Sequence, residues 1–160
     1  MTLVPDSTWT VRRTVDHIAD ALVLYGRYVA TRATSRLDGL RDGRPDASFS
    51  ALCSDVSDAA ALLARLIDGM EDGDVAFHPA GTADASGWAA MACDEIIVHG
   101  HDACDAANVD LHIPAELFEA VLLRLFPWAP PATTAAPMER LLWCNGRVAL
   151  PGYPRQDELW

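Results

Sequence analysis

The stretch WAAMACDEIIVHGHD, residues 88–102, places charged side chains within what otherwise has the composition of a buried helix. Steps of four, three, four and three residues define one helical face, which carries Trp88, Ala92, Glu95, His99 and Asp102. The apolar residues 96–98 fill most of the remaining surface at this level, so we expect the helix to be buried nearly all round. Glu95 and His99 therefore lie one turn apart at positions that should face inward.

A carboxylate in an apolar core needs a partner, because an unpaired buried charge costs several kcal/mol. The Glu-x3-His pair formed by Glu95 and His99 has two ordinary explanations. The first is an ion pair or hydrogen bond that only holds the structure together. The second is a divalent metal site, which helical bundles build from such pairs together with a ligand from a facing helix.

Capping residues and Gly, Pro and Asp punctuation divide the chain into five predicted helices. We predict them from about Thr10 to Ser35, Ser48 to Asp68, Ser86 or Gly87 to Ala107, just after Ile113 to Pro127, and Met138 to Cys144. Ser7, Thr8 and Thr10 are the candidate caps of the first helix. Residues 69–86 are predicted to be an irregular segment that crosses the length of the domain or covers a site. The expected fold is all-α, a four-helix bundle with one long crossover and a short C-terminal helix, in one domain spanning residues 1–160.

The first predicted helix offers a third ligand in His17. His17 is the only strongly polar residue in a row that also holds Ala21, Leu24 and Tyr28. A single His on an apolar face is usually a core residue, but the Glu-x3-His pair on another buried helix makes a ligand role an equal alternative. Two imidazoles and one carboxylate form a standard zinc set with one coordination position open, as in catalytic sites. Ni²⁺, Fe²⁺ and Mn²⁺ accept the same set.

Four other polar residues need an interpretation. Asp102 lies one turn beyond His99 and could orient its imidazole, cap a neighbouring helix or be solvated. His101 is two residues from His99 and should point to a different face. His78 is expected to be a surface residue of the long loop, and His112 to help begin the helix that follows it.

Composition excludes several classes of protein. The net charge of −11 and the lack of a basic face argue against nucleic-acid binding and against an anionic membrane surface. The beginning of the sequence lacks the pattern of a secretory signal, and no apolar run approaches the ~20 residues of a membrane span. The four cysteines contain no CxxC motif, so we expect reduced, buried thiols in a cytoplasmic protein.

The motifs WTVRRTVDHIAD, with Trp9 and His17, and DEIIVHGHDA, with Glu95, His99 and Asp102, resemble those of the DinB-like superfamily. The segment MERLLWCNGRVALPG, residues 138–152, is similar to an element near the end of its mycothiol-dependent maleylpyruvate isomerase N-terminal branch. The resemblance covers most of the chain. It implies a DinB-like four-helix bundle that holds a divalent metal, usually Zn²⁺, on His17, Glu95 and His99.

The resemblance also implies an enzyme that uses mycothiol or another low-molecular-weight thiol. We expect a thiol transferase or isomerase in which the metal activates the thiol towards a small electrophilic substrate. A thiol-independent hydrolase or lyase on the same scaffold and a non-catalytic metal-binding protein remain as alternatives. Trp88, Met91, Tyr28 and residues 69–86 are candidate pocket walls, and a homodimer is expected from the family alone.

Overall fold

The structure is a computed structural model that describes residues 2–4, 8–38 and 43–156. It is mostly helical, which confirms the predicted class at that level. The helices are α1 Val11–Thr31, α2 Phe49–Asp68, α3 Ala85–Ala107, α4 Ala115–Leu125 and α5 Pro137–Cys144. Strands β1, Ala76–His78, and β2, Gly81–Ala83, form a two-stranded antiparallel sheet. Among the described residues, no helix has both the length and the apolar character needed to cross a bilayer.

The first compact unit, Met1–Leu111, contains α1, α2, α3 and the sheet. Helix α1 packs against both α2 and α3. The apolar faces of these helices and both strands supply one hydrophobic core, whose buried members are Ile18, Leu22, Tyr28, Val29, Ala59, Leu63, Ala76, Ala83 and Trp88. Helix α1 therefore lies beside α3, which is the arrangement that a site shared between these two helices requires.

Helix α1 begins after Thr10, whose hydroxyl accepts a hydrogen bond from the N–H of Arg13. Thr10 is thus the N-cap among the three candidates, and Ser7 lies outside the described residues. The helix ends at Thr31, not at Ser35 as predicted, because Arg32 adopts a left-handed conformation with φ of 46°.

The segment between α2 and α3 is not irregular throughout, so that part of the prediction is wrong. Residues 76–83 form a hairpin in which Ala76 pairs with Ala83 and His78 with Gly81. The N–H of Phe77 donates a 2.7 Å hydrogen bond to the carbonyl of Ala33, just beyond the end of α1. Strands of three residues are too short for an alternating pattern to identify them in the sequence. This bond fixes the hairpin beside the C-terminal half of α1.

The second compact unit, His112–Trp160, contains α4 and α5, which pack on each other. Helix α4 ends at Leu125, two residues before the predicted Pro127, and its beginning has no side-chain cap, so His112 does not cap it. In α5 the buried Arg140 contacts Glu119 of α4 at 3.1 Å. The prediction of one domain over residues 1–160 stays a prediction.

Two aspartates of α1 are buried, which the periodicity of the helix did not predict. Asp16 and Asp20 are 5% and 2% exposed, and both lie near the guanidinium of Arg13. Asp16 also accepts a 2.7 Å hydrogen bond from the N–H of Arg44, which holds the beginning of residues 43–48 against α1. The expectation of four buried cysteines is wrong, because Cys144 alone of the four is buried and Cys53 is exposed.

Candidate metal centre

Three of the predicted site residues come together within the first unit. His17 on α1 and Glu95 and His99 on α3 each direct one ligand atom to a common point, with all three atoms within 4.8 Å of one another. Oε1 of Glu95 lies 3.1 Å from Nε2 of His17 and 3.4 Å from Nε2 of His99. No other such group of His, Cys, Asp or Glu occurs in residues 2–4, 8–38 and 43–156.

These distances suit a tetrahedral ion. Zinc–nitrogen and zinc–oxygen bonds of ~2.0–2.2 Å at tetrahedral angles separate two ligand atoms by roughly 3.3 Å. The two distances from Oε1 of Glu95, 3.1 and 3.4 Å, lie on either side of that value. Three ligands from the chain leave one position of a tetrahedral ion for an exogenous ligand.

The hydrogen bonding of Oε1 of Glu95 tests whether these residues fit a cation. This oxygen is buried, and no donor among the described residues reaches it with hydrogen-bond geometry, although two imidazole nitrogens lie within 3.4 Å. A buried acceptor left without a donor is costly. A cation between Oε1 and the two Nε2 atoms removes that cost, so the donor set and its geometry fit a divalent metal.

The second carboxylate oxygen of Glu95 is held by Tyr25, which the sequence did not identify as a site residue. The hydroxyl of Tyr25 donates a 3.2 Å hydrogen bond to Oε2 of Glu95. Burial, and then the charge of Glu95, raise the pKa of Tyr25, so it remains a phenol and a donor. Burial raises the pKa of Glu95, but His17, His99 and Tyr25 together outweigh it and hold that pKa below its usual range.

Asp102 lies against the far side of the His99 imidazole, which is the position that an orienting role, one of its three interpretations, requires. Its Oδ2 is 3.4 Å from Nδ1 of His99, whereas Nε2 of the same ring faces Glu95. A carboxylate at Nδ1 favours the tautomer that leaves Nε2 free to bind a metal. His101 points elsewhere: its Nδ1 lies 3.9 Å from Oδ1 of Asp102 and is not part of the cluster.

Trp9 covers the two imidazoles. Its ring centroid lies 4.7 Å from that of His17 and 6.2 Å from that of His99. The guanidinium of Arg13 lies 5.3 Å from the same indole centroid. Because Trp9 directly precedes the N-cap of α1, its position is set by the beginning of the helix that supplies His17.

The cluster lies at the edge of the core and not deep inside it. The side chains of His17, Glu95 and His99 are 24%, 15% and 20% exposed. The expectation that α3 is buried all round is therefore wrong on this face, although Trp88, Ile97 and Val98 are buried as predicted. A half-buried cluster is accessible to a small molecule, which a fully enclosed one is not.

A cavity of about 450 Å³ opens beside this cluster, within the usual size range of small-molecule sites. Its walls are His17, Ala21, Leu24, Tyr25, Tyr28, Arg36, Leu37, Asp38, His78, Pro79 and Glu95. Of the candidate walls, Tyr28 lines the cavity, and residues 69–86 contribute His78 and Pro79. Trp88 and Met91 are core residues outside it.

His78 is the wall residue whose position differs most from the sequence-based expectation. It lies in the cavity wall at the end of β1 and is not an ordinary surface residue. Its ring contacts Tyr25 and Trp88, with centroids 5.8 and 5.7 Å away. The sequence holds one weak signal for this position, an aromatic–His–Pro run within a loop of unusual length.

Comparison with known proteins adds no relative. No protein-family model, no curated protein and no solved structure matches this chain significantly.

Proposed function

We propose that this chain is a divalent-metal-dependent enzyme, most simply a Zn²⁺ enzyme, whose ligands are His17, Glu95 and His99. The observation that carries the proposal is the convergence of three ligand atoms, with the buried Oε1 of Glu95 lying 3.1 and 3.4 Å from two imidazole Nε2 atoms. The set matches the residues that the DinB-like resemblance assigns to a metal. We also propose that the chain folds as a DinB-like four-helix bundle with one long crossover.

The reaction that we propose is the transfer or isomerisation of a small electrophile by a low-molecular-weight thiol such as mycothiol. A divalent metal with one open position lowers the pKa of a thiol bound there, so that the thiolate is the nucleophile at neutral pH. The four cysteines of the chain do not belong to the cluster, so the nucleophile comes from outside. The cavity beside His17 and Glu95 has room for the electrophile.

The surrounding side chains have positioning roles in this proposal. Tyr25 holds Oε2 of Glu95 and so directs Oε1 towards the imidazoles. Asp102 fixes the ring of His99 through Nδ1. Trp9 packs against both imidazoles. Pre-set ligands of this kind reduce the reorganisation that metal binding requires.

Metal analysis tests the first part of the proposal. We expect the purified protein to bind one Zn²⁺ per chain in isothermal titration calorimetry after removal of metal with EDTA. His17→Ala and Glu95→Ala should lose this binding, whereas the matched control His112→Ala, at an exposed imidazole outside the cluster, should retain it. Failure of the unmodified protein to bind any divalent metal stoichiometrically would refute the enzyme proposed here.

Mass spectrometry tests the thiol. The Zn²⁺-loaded protein is incubated with mycothiol and a model epoxide, and the thioether conjugate is quantified against the uncatalysed reaction. We expect conjugate formation to require the metal and to disappear in His17→Ala and Glu95→Ala. Metal-dependent turnover of the epoxide without thiol would instead identify a hydrolase, and metal binding without either reaction would identify a non-catalytic metal protein.

A further inference from the structure

His78 is the one imidazole in the cavity wall that lies outside the metal cluster. It is the last residue of β1, and the two-residue connection Pro79–Ala80 returns the chain to β2. Phe77, its neighbour, is bonded to Ala33 beyond α1. The ring therefore stands on a short hairpin that is anchored to the helix supplying His17, which fixes its place relative to the cluster.

The hairpin also sets which nitrogen of His78 carries the proton. The N–H of Ala80 donates a 3.1 Å hydrogen bond to Nδ1 of His78, so Nδ1 is an acceptor and is unprotonated. In a neutral imidazole the hydrogen then resides on Nε2. Burial lowers the pKa of His78 to about 4, against a smaller opposing effect of Glu95, which keeps the ring neutral near pH 7.

The Nε2–H group of His78 has no protein acceptor among the described residues. Contacts with Tyr25 and Trp88 hold the plane of the ring. A neutral N–H donor that is fixed in the wall of a cavity suits a hydrogen bond to an uncharged acceptor such as a carbonyl or amide oxygen. Most of its neighbours in that wall are apolar or aromatic, namely Ala21, Leu24, Tyr25, Tyr28, Leu37 and Pro79.

We infer that His78 orients the electrophile by donating a hydrogen bond from Nε2 to an acceptor oxygen of a small, largely apolar substrate held between the hairpin and α1. This inference rests on the proposed function, because the same cavity adjoins His17 and Glu95. His78 is a positioning residue in this scheme and is not a metal ligand. Substrates that carry a carbonyl or amide oxygen on an apolar body should therefore bind better than matched compounds without that oxygen.

The test uses Co²⁺-loaded protein and thiol probes whose binding to the metal is read from the thiolate-to-cobalt absorption band. The probes are benzyl mercaptan, which has no acceptor oxygen, and the 2-, 3- and 4-isomers of (mercaptomethyl)benzamide. In the unmodified protein we expect at least one amide isomer to bind roughly five- to tenfold more tightly than benzyl mercaptan, the usual effect of one hydrogen bond.

Two variants assign that preference to His78. His78→Phe keeps a planar ring but removes the donor, so the preference should vanish while the affinities for Co²⁺ and benzyl mercaptan change less than twofold. His78→Gln restores an N–H donor and should recover part of the preference. A preference that survives in His78→Phe overturns the inference, and so does a wild-type protein that binds all four probes equally. If no probe produces the absorption band, the proposed thiol chemistry fails and the inference fails with it.

A second measurement needs neither metal nor probe. Nitrogen NMR of histidine-labelled protein should show the proton of His78 on Nε2 at pH 7. A proton on Nδ1 would contradict the hydrogen bond from Ala80 and would overturn the inference, whatever the thiol probes show.

Discussion

The phenol of Tyr25 on α1 donates a 3.2 Å hydrogen bond to Oε2 of Glu95 on α3, while the other oxygen of that carboxylate faces two imidazoles. One helix thus supplies both His17, a proposed ligand, and Tyr25, which orients the carboxylate of the other helix. The metal affinity should therefore depend on how α1 and α3 pack and not only on the three ligands.

Tyr25→Phe should weaken Zn²⁺ binding by roughly tenfold, because loss of an outer partner typically costs ten- to a hundredfold in affinity. The change keeps the ring and its contacts with Trp88 and His78. Competition against a chromophoric chelator measures the affinity. Tyr28→Phe is the matched control, since the Tyr28 hydroxyl accepts from the N–H of Leu37 and does not bond to Glu95. An affinity loss of equal size in both variants would exclude a specific role for Tyr25.

Asp102→Ala should also lower the Zn²⁺ affinity by about tenfold, since Nδ1 of His99 loses the carboxylate that favours the metal-binding tautomer. Asp102→Asn retains an acceptor oxygen without the charge and should lose less. Asp105→Ala, an exposed carboxylate of the same helix, serves as the control and should bind Zn²⁺ like the unmodified protein. The same competition assay reads all three, and an undiminished affinity in Asp102→Ala would refute the orienting role.

Zinc should stabilise the folded protein. At a free Zn²⁺ concentration of about 100 times Kd, mass action raises the free energy of unfolding by about 2.7 kcal/mol. For a chain of this size the midpoint temperature should rise on the order of 5–10 °C. Differential scanning calorimetry with Zn²⁺ and then with excess EDTA measures this shift. Glu95→Gln should show no shift, and a zinc effect of the same size in that variant would place the ion elsewhere.

The stability of the metal-free protein should fall as the pH decreases from 6.5 towards 4, partly because of His78. The folded pKa of His78, about 4, lies below the ordinary value of 6.5, so within this window the unfolded chain binds a proton that the folded chain does not. Urea unfolding in EDTA at several pH values measures the slope. His78→Phe should have a shallower slope between pH 6.5 and 5, and an identical slope would show that His78 titrates normally in the fold.

Gly43→Ala should destabilise the protein by more than Gly73→Ala. Both glycines have left-handed backbones, with φ of 78° and 89°, so each substitution carries a strain of roughly 1–2 kcal/mol. At Gly43 a Cβ would also overlap Oδ2 of the buried Asp16, whereas nothing lies within 4 Å of a Cβ at Gly73. The difference in unfolding free energy, measured with urea, should be at least about 1 kcal/mol, a typical cost of overpacking. Equal losses of unfolding free energy in the two variants would mean that residues 43–48 move away from Asp16 without cost.

Only site residues that share one helix could be placed relative to one another from the sequence. The four-residue spacing of Glu95 and His99, with Asp102 three residues further, determines one face of α3 wherever that helix packs. His17 could be chosen because it interrupts an apolar row. Tyr25 gave no such signal, because a Tyr in an apolar stripe has the same pattern whether its hydroxyl is buried against a carboxylate or reaches water. Likewise Arg32 gave no sign that it would end α1.

The sequence by itself determined the mostly helical class, the last residues of three of the five helices, and the residue types of the cluster, since periodicity and capping depend on near neighbours in the chain. Only the tertiary structure decided that His17 meets Glu95, that Tyr25 bonds to its second oxygen, and that a hairpin carries His78 into the cavity wall. These relationships join residues far apart in the sequence. They depend on how α1, α3 and the hairpin pack, and no local pattern encodes that packing.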